Sequence, residues 1–206
     1  MKIIFARHCE SEANIIHELS NRGLRHPLTK TGREQASLLA EKIKGRSITR
    51  IYSSPLLRAI ETSAIIAGKL VVEYEVADGL REYDLGVLEG RRDSEAWNEW
   101  KRIFDGWSKD QHWDEKIEDG ESFYQVRDRF VPFVNGLVAK YGKSDANLLC
   151  VGHGGIYAMM LPLVLSNVDS AFVRKQNGFP YTEVIVCEAG PKGLVCKEWG
   201  GLELKQ

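Results

Sequence analysis

The chain opens Met1-Lys2-Ile3-Ile4-Phe5-Ala6-Arg7-His8, and a second short apolar run, Leu148-Leu149-Cys150-Val151, leads into Gly152-His153-Gly154-Gly155. A run of four or five apolar residues without polar alternation suits a strand buried on both faces of a parallel sheet. Such sheets need helices between their strands, and the intervening sequence supplies them. After Thr31-Gly32-Arg33-Glu34, apolar residues at Ala36, Leu39, Ala40 and Ile43 follow helical spacing, and Gly45 stands where a stop belongs. Arg50-Ile51-Tyr52-Ser53 reads as a second strand. Pro55 suits the first turn of a helix running to Gly68, and Val71-Val72-Glu73-Tyr74 reads as a third strand. Phe123, Val126, Phe130, Phe133 and Leu137 predict a helix over 121–140, which Pro132 should kink or interrupt. An apolar helix is expected from Ile156 to Leu165, and residues 181–188 and 194–199 make a hairpin about Gly190-Pro191-Lys192-Gly193. Strands alternating with helices predict the α/β class, as a three-layer α/β/α sandwich with a mostly parallel sheet.

Only residues 86–120 break that rhythm. They are polar but hold Trp97, Trp100, Trp107 and Trp113, four of the five tryptophans. The segment reads as a helical cap inserted over the C-terminal edge of the strands, within one domain spanning 1–206. Trp97, Trp100, Phe104 and Trp107 share a helical face, which either packs on the domain or presents an aromatic wall to a ligand.

Composition narrows the function. A length of 206 residues suits a single domain, and 43% apolar residues suit a folded one. Lys and Arg number 28 against 29 Asp and Glu, for a net charge of −1, so the basic excess of a nucleic-acid binder is missing. No apolar run approaches the roughly 18 residues of a membrane span, and the apolar stretch at residues 3–6 is too short for a signal peptide. The expected compartment is the cytoplasm. Of the four cysteines none forms Cys-x-x-Cys. Cys150 reads as a buried thiol. Cys187 and Cys196 lie opposite each other if Ala189 pairs with Leu194, but a cytoplasmic setting argues against a disulfide.

Several motifs fail on spacing. Gly136 to Ser144 ends in Gly-Lys-Ser, but five residues separate Gly136 from Gly142 where a phosphate-binding loop has four. No cysteine is followed by arginine six positions on, the five histidines lack metal-ligand spacing, and neither His-Glu-x-x-His nor Gly-x-Ser-x-Gly occurs.

What remains converges on one place. Ligands of open α/β sheets bind at the C-terminal ends of the strands. Arg7-His8 and His153 stand at two such ends, Asn14 follows in a short loop, and Arg58 opens the helix after Ser53-Ser54-Pro55. Gly154 and Gly155 let backbone approach a ligand, and the helix after them offers unpaired N–H groups to an anion. Two arginines and two histidines together call for an anion, and a phosphate dianion is the natural one.

These residues resemble the signature of the histidine phosphatase, or phosphoglycerate-mutase-like, superfamily. Arg7-His8-Cys9-Glu10-Ser11-Glu12-Ala13-Asn14 follows its Arg-His-Gly-Glu-(Thr/Ser)-x-x-Asn. Pro27-Leu28-Thr29-Lys30-Thr31-Gly32, Ser53-Ser54-Pro55-Leu56-Leu57-Arg58-Ala59, Leu80-Arg81-Glu82 and Gly152-His153-Gly154-Gly155 match in family order. The resemblance implies that His8 is a nucleophile and Glu82 the acid/base. It also implies that Arg7, Asn14, Arg58, His153 and Gly154 hold the phosphoryl group, and that no metal or cofactor takes part. The implied partner is a small phosphorylated substrate, with no nucleic acid and no membrane. Mutases of this family carry His-Tyr-Gly after the acidic residue. Glu82-Tyr83-Asp84-Leu85-Gly86 resembles the phosphatase branch instead. Phosphoglycerate-type transfer and a non-catalytic binding module are the other readings. Two features depart from the resemblance, Cys9 and the hairpin-like tail, to which no family role is assigned. Cys9 replaces the usual glycine and faces either the sheet or the site, where oxidation would block catalysis. Arg22, Arg25 and His26 either add a second anion contact or belong to a solvated loop.

Overall fold

The computed structural model describes residues 1–176, 178–190 and 193–204. Its strands are β1 (Lys2–Arg7), β2 (Arg50–Ser53), β3 (Tyr74–Val76), β4 (Asn147–Gly152), β5 (Val184–Gly190), β6 (Gly193–Trp199) and β7 (Leu202–Glu203). They form one sheet in the order β3-β2-β4-β1-β5-β6-β7. The first four strands of that order are mutually parallel and the last three run antiparallel, so the sheet is mixed with a parallel core. The helices are α1 (Glu12–Ile15), α2 (Lys30–Ile43), α3 (Leu57–Leu70), α4 (Ser94–Asp105), α5 (Phe123–Tyr141), α6 (Gly154–Val164) and α7 (Ser170–Lys175).

The apolar run of β1 explains the layering. Successive side chains of a strand point to opposite faces. Ile4 and Ala6 pack with Leu39, Ala40 and Ile43 of α2 and with Ala59 and Ile66 of α3. Ile3 and Phe5 pack on the other face with Phe130 and Val134 of α5 and Ile156 and Met160 of α6. Both faces of β1 are thus closed, which makes the three-layer α/β/α arrangement.

The structure departs from the sequence reading at identifiable points. The third strand begins at Tyr74, not Val71. Gly68 does not stop α3, and Val71 closes the helix instead at φ 56°, with the Val72 N–H bonded to the Ala67 carbonyl. A β-branched residue in the left-handed region is an unusual helix end, so no local signal marks it. Pro55 lies in the turn ahead of α3, outside its first helical turn. Pro132 sits within an uninterrupted α5. It lies on the exposed face, so the carbonyl left without a partner is turned toward water. Ser122 and Gln125 close the start of α5 as a reciprocal capping box. The hairpin forms, with β5 running from 184 to 190. Cys187 faces Cys196 in the predicted register, and both are free thiols. Pro191 and Lys192 of its loop lie outside the described residues.

Close packing ties α2 to the loop after β1. Thr29 caps the helix by accepting from the Gly32 N–H at 2.9 Å, while its hydroxyl donates to the Glu10 carboxylate at 2.6 Å. A Cβ at Gly32 would stand 2.0 Å from the Glu10 carbonyl oxygen. Gly32→Ala must therefore push α2 away from the loop that carries His8, at a cost of about 1–3 kcal/mol. A urea melt of this variant is expected to show that loss. An unchanged midpoint would mean that the two segments are free to separate.

Candidate active site

Three adjacent strands, β2, β4 and β1, deliver the candidate residues side by side. The His8 N–H donates to the Gly152 carbonyl and the Ser54 N–H to the Val151 carbonyl, each at 2.8 Å, so the strand ends are laced together just where the side chains leave them. The His8 and His153 rings lie 5.0 Å apart, centroid to centroid. Arg7, His8, Asn14, Arg58, Glu82, His153 and Gly154 all line one cavity of about 340 Å³. Every candidate site residue from the sequence is therefore brought to one place.

The hydrogen bonds fix the state of His8. Its Nδ1 lies 2.7 Å from the Cys9 carbonyl oxygen, which can only accept, so Nδ1 carries the proton. Nε2 then presents a lone pair, and the Arg58 Nε–H donates to it at 3.1 Å. Burial lowers the His8 pKa well below its ordinary 6.5, and the Arg58 and Arg7 charges lower it further. The ring is neutral at neutral pH. His153 is pushed down in the same way, by burial and then by Arg58. Its Nε2 lies 2.6 Å from the Ser54 hydroxyl, and its Nδ1 is buried without a partner.

Arg58 is held rigidly. Its Nη1 donates to the Ser20 carbonyl at 2.7 Å and its Nη2 to Asn21 Oδ1 at 3.2 Å. Burial lowers its pKa to about 10, so it remains a cation. Arg7 stacks over the Tyr181 ring at 4.5 Å and donates from Nη1 to the Phe179 carbonyl at 3.1 Å. The Arg7 Nε is buried and unpartnered, like the His153 Nδ1. Asn14 spends Oδ1 on the Ser11 N–H and hydroxyl, at 3.0 and 2.9 Å, which leaves its Nδ2 to donate.

Glu82 departs from the sequence expectation in an informative way. The N–H groups at the start of α6 do not wait for a ligand. Gly155 and Ile156 donate to the Glu82 carboxylate at 2.9 and 2.6 Å. The helix end thus seats the acidic side chain. A Cβ at Gly155 would stand 2.8 Å from that carboxylate, so close approach requires glycine there. Burial raises the Glu82 pKa above its ordinary 4.5, against the opposing pull of these N–H groups and of Arg58. The segment around Glu82 has no regular structure and is anchored by Glu121. That carboxylate accepts from Arg129 at 2.9 and 3.0 Å, from Arg81 at 3.2 and 3.3 Å and from the Asp84 N–H at 2.9 Å.

Other expectations are corrected. Arg22 is committed to Asp84 at 2.8 Å, and Arg25 and His26 to the buried carboxylate of Glu18 at 3.1 and 2.6 Å. Arg22 and Arg25 remain exposed, as the solvated-loop alternative has it, while His26 is largely covered. Cys9 faces neither the sheet nor the cavity but the space between α2 and α3. It packs with Leu28, Ala36 and Ile65, and burial raises its thiol pKa to about 12. The aromatic face divides. Trp97, Trp100 and Phe104 of α4 line the His8 cavity, and the Trp100 indole donates to the Tyr83 hydroxyl at 2.8 Å. Trp107 lies beyond the end of α4 in a π-helical turn, Gly106–Asp110, and is buried edge-on against Tyr83. Ser20, Asn21, Phe179 and Tyr181 were not singled out in the sequence. They act through backbone carbonyls, an amide and a ring face that only the fold brings near. Among the described residues no three of His, Cys, Asp and Glu gather to hold a metal, and no helix is long and apolar enough to cross a membrane.

A buried, neutral histidine beside two arginines and a buried acid, at the C-terminal edge of an α/β sheet, is an arrangement suited to phosphoryl transfer. The chain belongs to the histidine phosphatase superfamily (branch 1), whose family profile matches residues 3–201. It is 32% identical over 171 residues to a protein named probable phosphoglycerate mutase GpmB from Proteus mirabilis, covering 80% of this chain and 75% of that one. It is 34% identical over 137 residues to phosphoserine phosphatase 1 of Hydrogenobacter thermophilus, covering 65% of this chain and 63% of that enzyme. The solved structure of a mycobacterial glucosyl-3-phosphoglycerate phosphatase in complex with VO3 shares the fold. Its TM-score is 0.82 at 22% identity, over 98% of this chain and 99% of that one.

The unpartnered donors predict that inorganic phosphate stabilises the free protein. A ligand at 100 times its Kd adds about 2.7 kcal/mol. Thermal melts with rising phosphate should climb for the wild type and stay flat for Arg58→Met. A wild-type melt indifferent to phosphate would contradict the anion-binding assignment.

Proposed function

We propose that the chain hydrolyses small-molecule phosphomonoesters through a phosphohistidine on His8. The observation that carries this reading is the pair of buried, unpartnered nitrogens, Arg7 Nε and His153 Nδ1, in the cavity where His8 Nε2 presents its lone pair. A phosphoryl oxygen satisfies both when the Ser54 hydroxyl donates its hydrogen bond to His153 Nε2, which places the ring proton on Nδ1 as a donor.

In the first step His8 Nε2 attacks phosphorus while the ester P–O bond breaks. The Arg58 Nε–H, freed as the Nε2 lone pair bonds to phosphorus, donates to a phosphoryl oxygen. Glu82, in its acid form, gives its proton to the departing alkoxide. In the second step the Glu82 carboxylate takes a proton from water, the water oxygen bonds to phosphorus, and the N–P electron pair returns to His8. Preorganised cations around spreading negative charge supply most of the rate in such transfers. Glu82-Tyr83-Asp84, in place of the His-Tyr-Gly that follows the acidic residue in mutases, favours hydrolysis over a phosphoglycerate-type exchange.

With a chelator present, phosphate release from p-nitrophenyl phosphate and a panel of sugar, glycerate and alkyl phosphates is expected for the wild type and lost in His8→Ala. Isomer formation without release would make the chain a mutase. The pH dependence has a defined sign. His8 stays neutral below pH 6.5, so the acid limb of kcat/KM belongs below that value. Activity falls as pH rises through the raised pKa of Glu82, because the leaving group loses its proton donor. Glu82→Gln should lower kcat by about 10²–10⁴-fold and remove that alkaline limb. An alkaline limb unchanged in the variant would assign the proton to another group.

A further inference from the structure

A second cavity, of about 700 Å³, opens beside the first. The two share Phe104, Gly154, Ala158, Gly178 and Phe179 as wall. Their junction is kept low by sequence. Gly154 and Ala158 are one helical turn apart on α6, so the same face presents first no side chain and then a methyl group. Beyond them the second cavity is walled by Trp107, Trp113, Phe123, Met159 and Trp199. Trp113 is half-buried and stacks on Phe123 at 5.8 Å, so the wall includes flat aromatic surface.

Charged side chains stand on its rim. Lys109 pairs with Asp105 at 3.0 Å, and Asp169 caps the Phe172 N–H at 2.7 Å. Arg174 donates to the Ser108 carbonyl at 2.6 Å, fastening α7 to the π-helical turn across the mouth. The inner wall is thus apolar and aromatic, with charged side chains confined to the rim. The cavity's volume lies in the range of sites that enclose whole organic ligands. A three-carbon hydroxy acid would leave most of that volume unfilled.

We infer that this cavity seats the alcohol portion of the substrate, and that the preferred substrates are phosphomonoesters of bulky aromatic alcohols. The inference rests on the phosphohistidine reading for the position of the phosphate. The phosphoryl group lies against His8, and the organic body passes over Gly154 and Ala158 to lie against Trp113 and Met159.

The test is a size ladder read in two ways. kcat/KM is measured for phenyl, 2-naphthyl and 4-biphenylyl phosphate, with O-phosphoserine as the small anionic comparison. Kd is measured by calorimetry for benzylphosphonate and its 4-phenyl derivative, which are not hydrolysed. Both proteins, wild type and Ala171→Trp, are followed. Ala171 is exposed on α7 and lines the second cavity but not the first, so the new indole obstructs that cavity alone. We expect kcat/KM to rise at least tenfold from phenyl to 4-biphenylyl phosphate, and Kd to tighten in parallel. Ala171→Trp is expected to erase both gains while turning over phenyl phosphate within twofold of wild type. A flat ladder, a preference for O-phosphoserine, or an equal loss on every ester in Ala171→Trp would overturn the assignment. Size-dependent phosphonate binding without hydrolysis of any ester would uphold the cavity and defeat the hydrolytic reading. Hydrolysis with a flat ladder would do the reverse.

Discussion

The bond from His8 Nδ1 to the Cys9 carbonyl, 2.7 Å long, is the constraint on which the site depends. Because a carbonyl can only accept, it assigns the imidazole proton to Nδ1 and the lone pair to Nε2. Burial and two arginines then keep the ring neutral where an exposed histidine would be half protonated. A nucleophile needs that lone pair, and the same cations that protect it are what a phosphate oxygen needs. One arrangement thus solves two problems, and the rest of the site serves to hold it still. Cys9 contributes its backbone to this arrangement and packs its side chain with Leu28, Ala36 and Ile65. A larger residue than glycine is therefore accommodated beside His8 without entering the cavity.

The surrounding fold explains how such a concentration of cations persists. Arg58 is not balanced by a carboxylate in direct contact. It is oriented by the Ser20 carbonyl and the Asn21 amide, which supply hydrogen bonds without cancelling its charge. Arg7 is held likewise by a carbonyl and by the face of Tyr181. The acid is placed by a different device. Glu82 takes up the N–H groups at the start of α6, and Tyr83 beside it is tied through its hydroxyl to Trp100 of α4. A cap residue therefore reaches the acid through a single side chain.

Much of this was legible in the sequence because it rests on local rules. An apolar run without alternation announces a strand buried on both faces, and β1 and β4 are of that kind. His8, Arg58 and His153 could be placed because strand ends in such sheets share one edge. The hairpin register followed from pairing Ala189 with Leu194, and the structure keeps it. What the sequence did not reveal depends on contacts distant along the chain. Gly155 and Ile156 looked like a vacant anion site because nothing local says that Glu82, more than seventy residues earlier, fills it. Arg22, Arg25 and His26 looked uncommitted because their carboxylate partners, Asp84 and Glu18, meet them only in the folded chain. Val71 ended a helix in a conformation its side chain disfavours, and no composition rule anticipates that. Trp107 matched the spacing of Trp97, Trp100 and Phe104, but the helix ends at Asp105 and the next turn carries it into the core.

The state of His8 is the claim most open to direct measurement. Two-dimensional ¹⁵N NMR of the imidazoles, with His8 assigned by comparison with His8→Gln, reads both the tautomer and the pKa. The account predicts a neutral ring bearing its proton on Nδ1 at pH 7, with protonation only well below pH 6.5. A cationic His8 at neutral pH, or a neutral ring with its proton on Nε2, would contradict it.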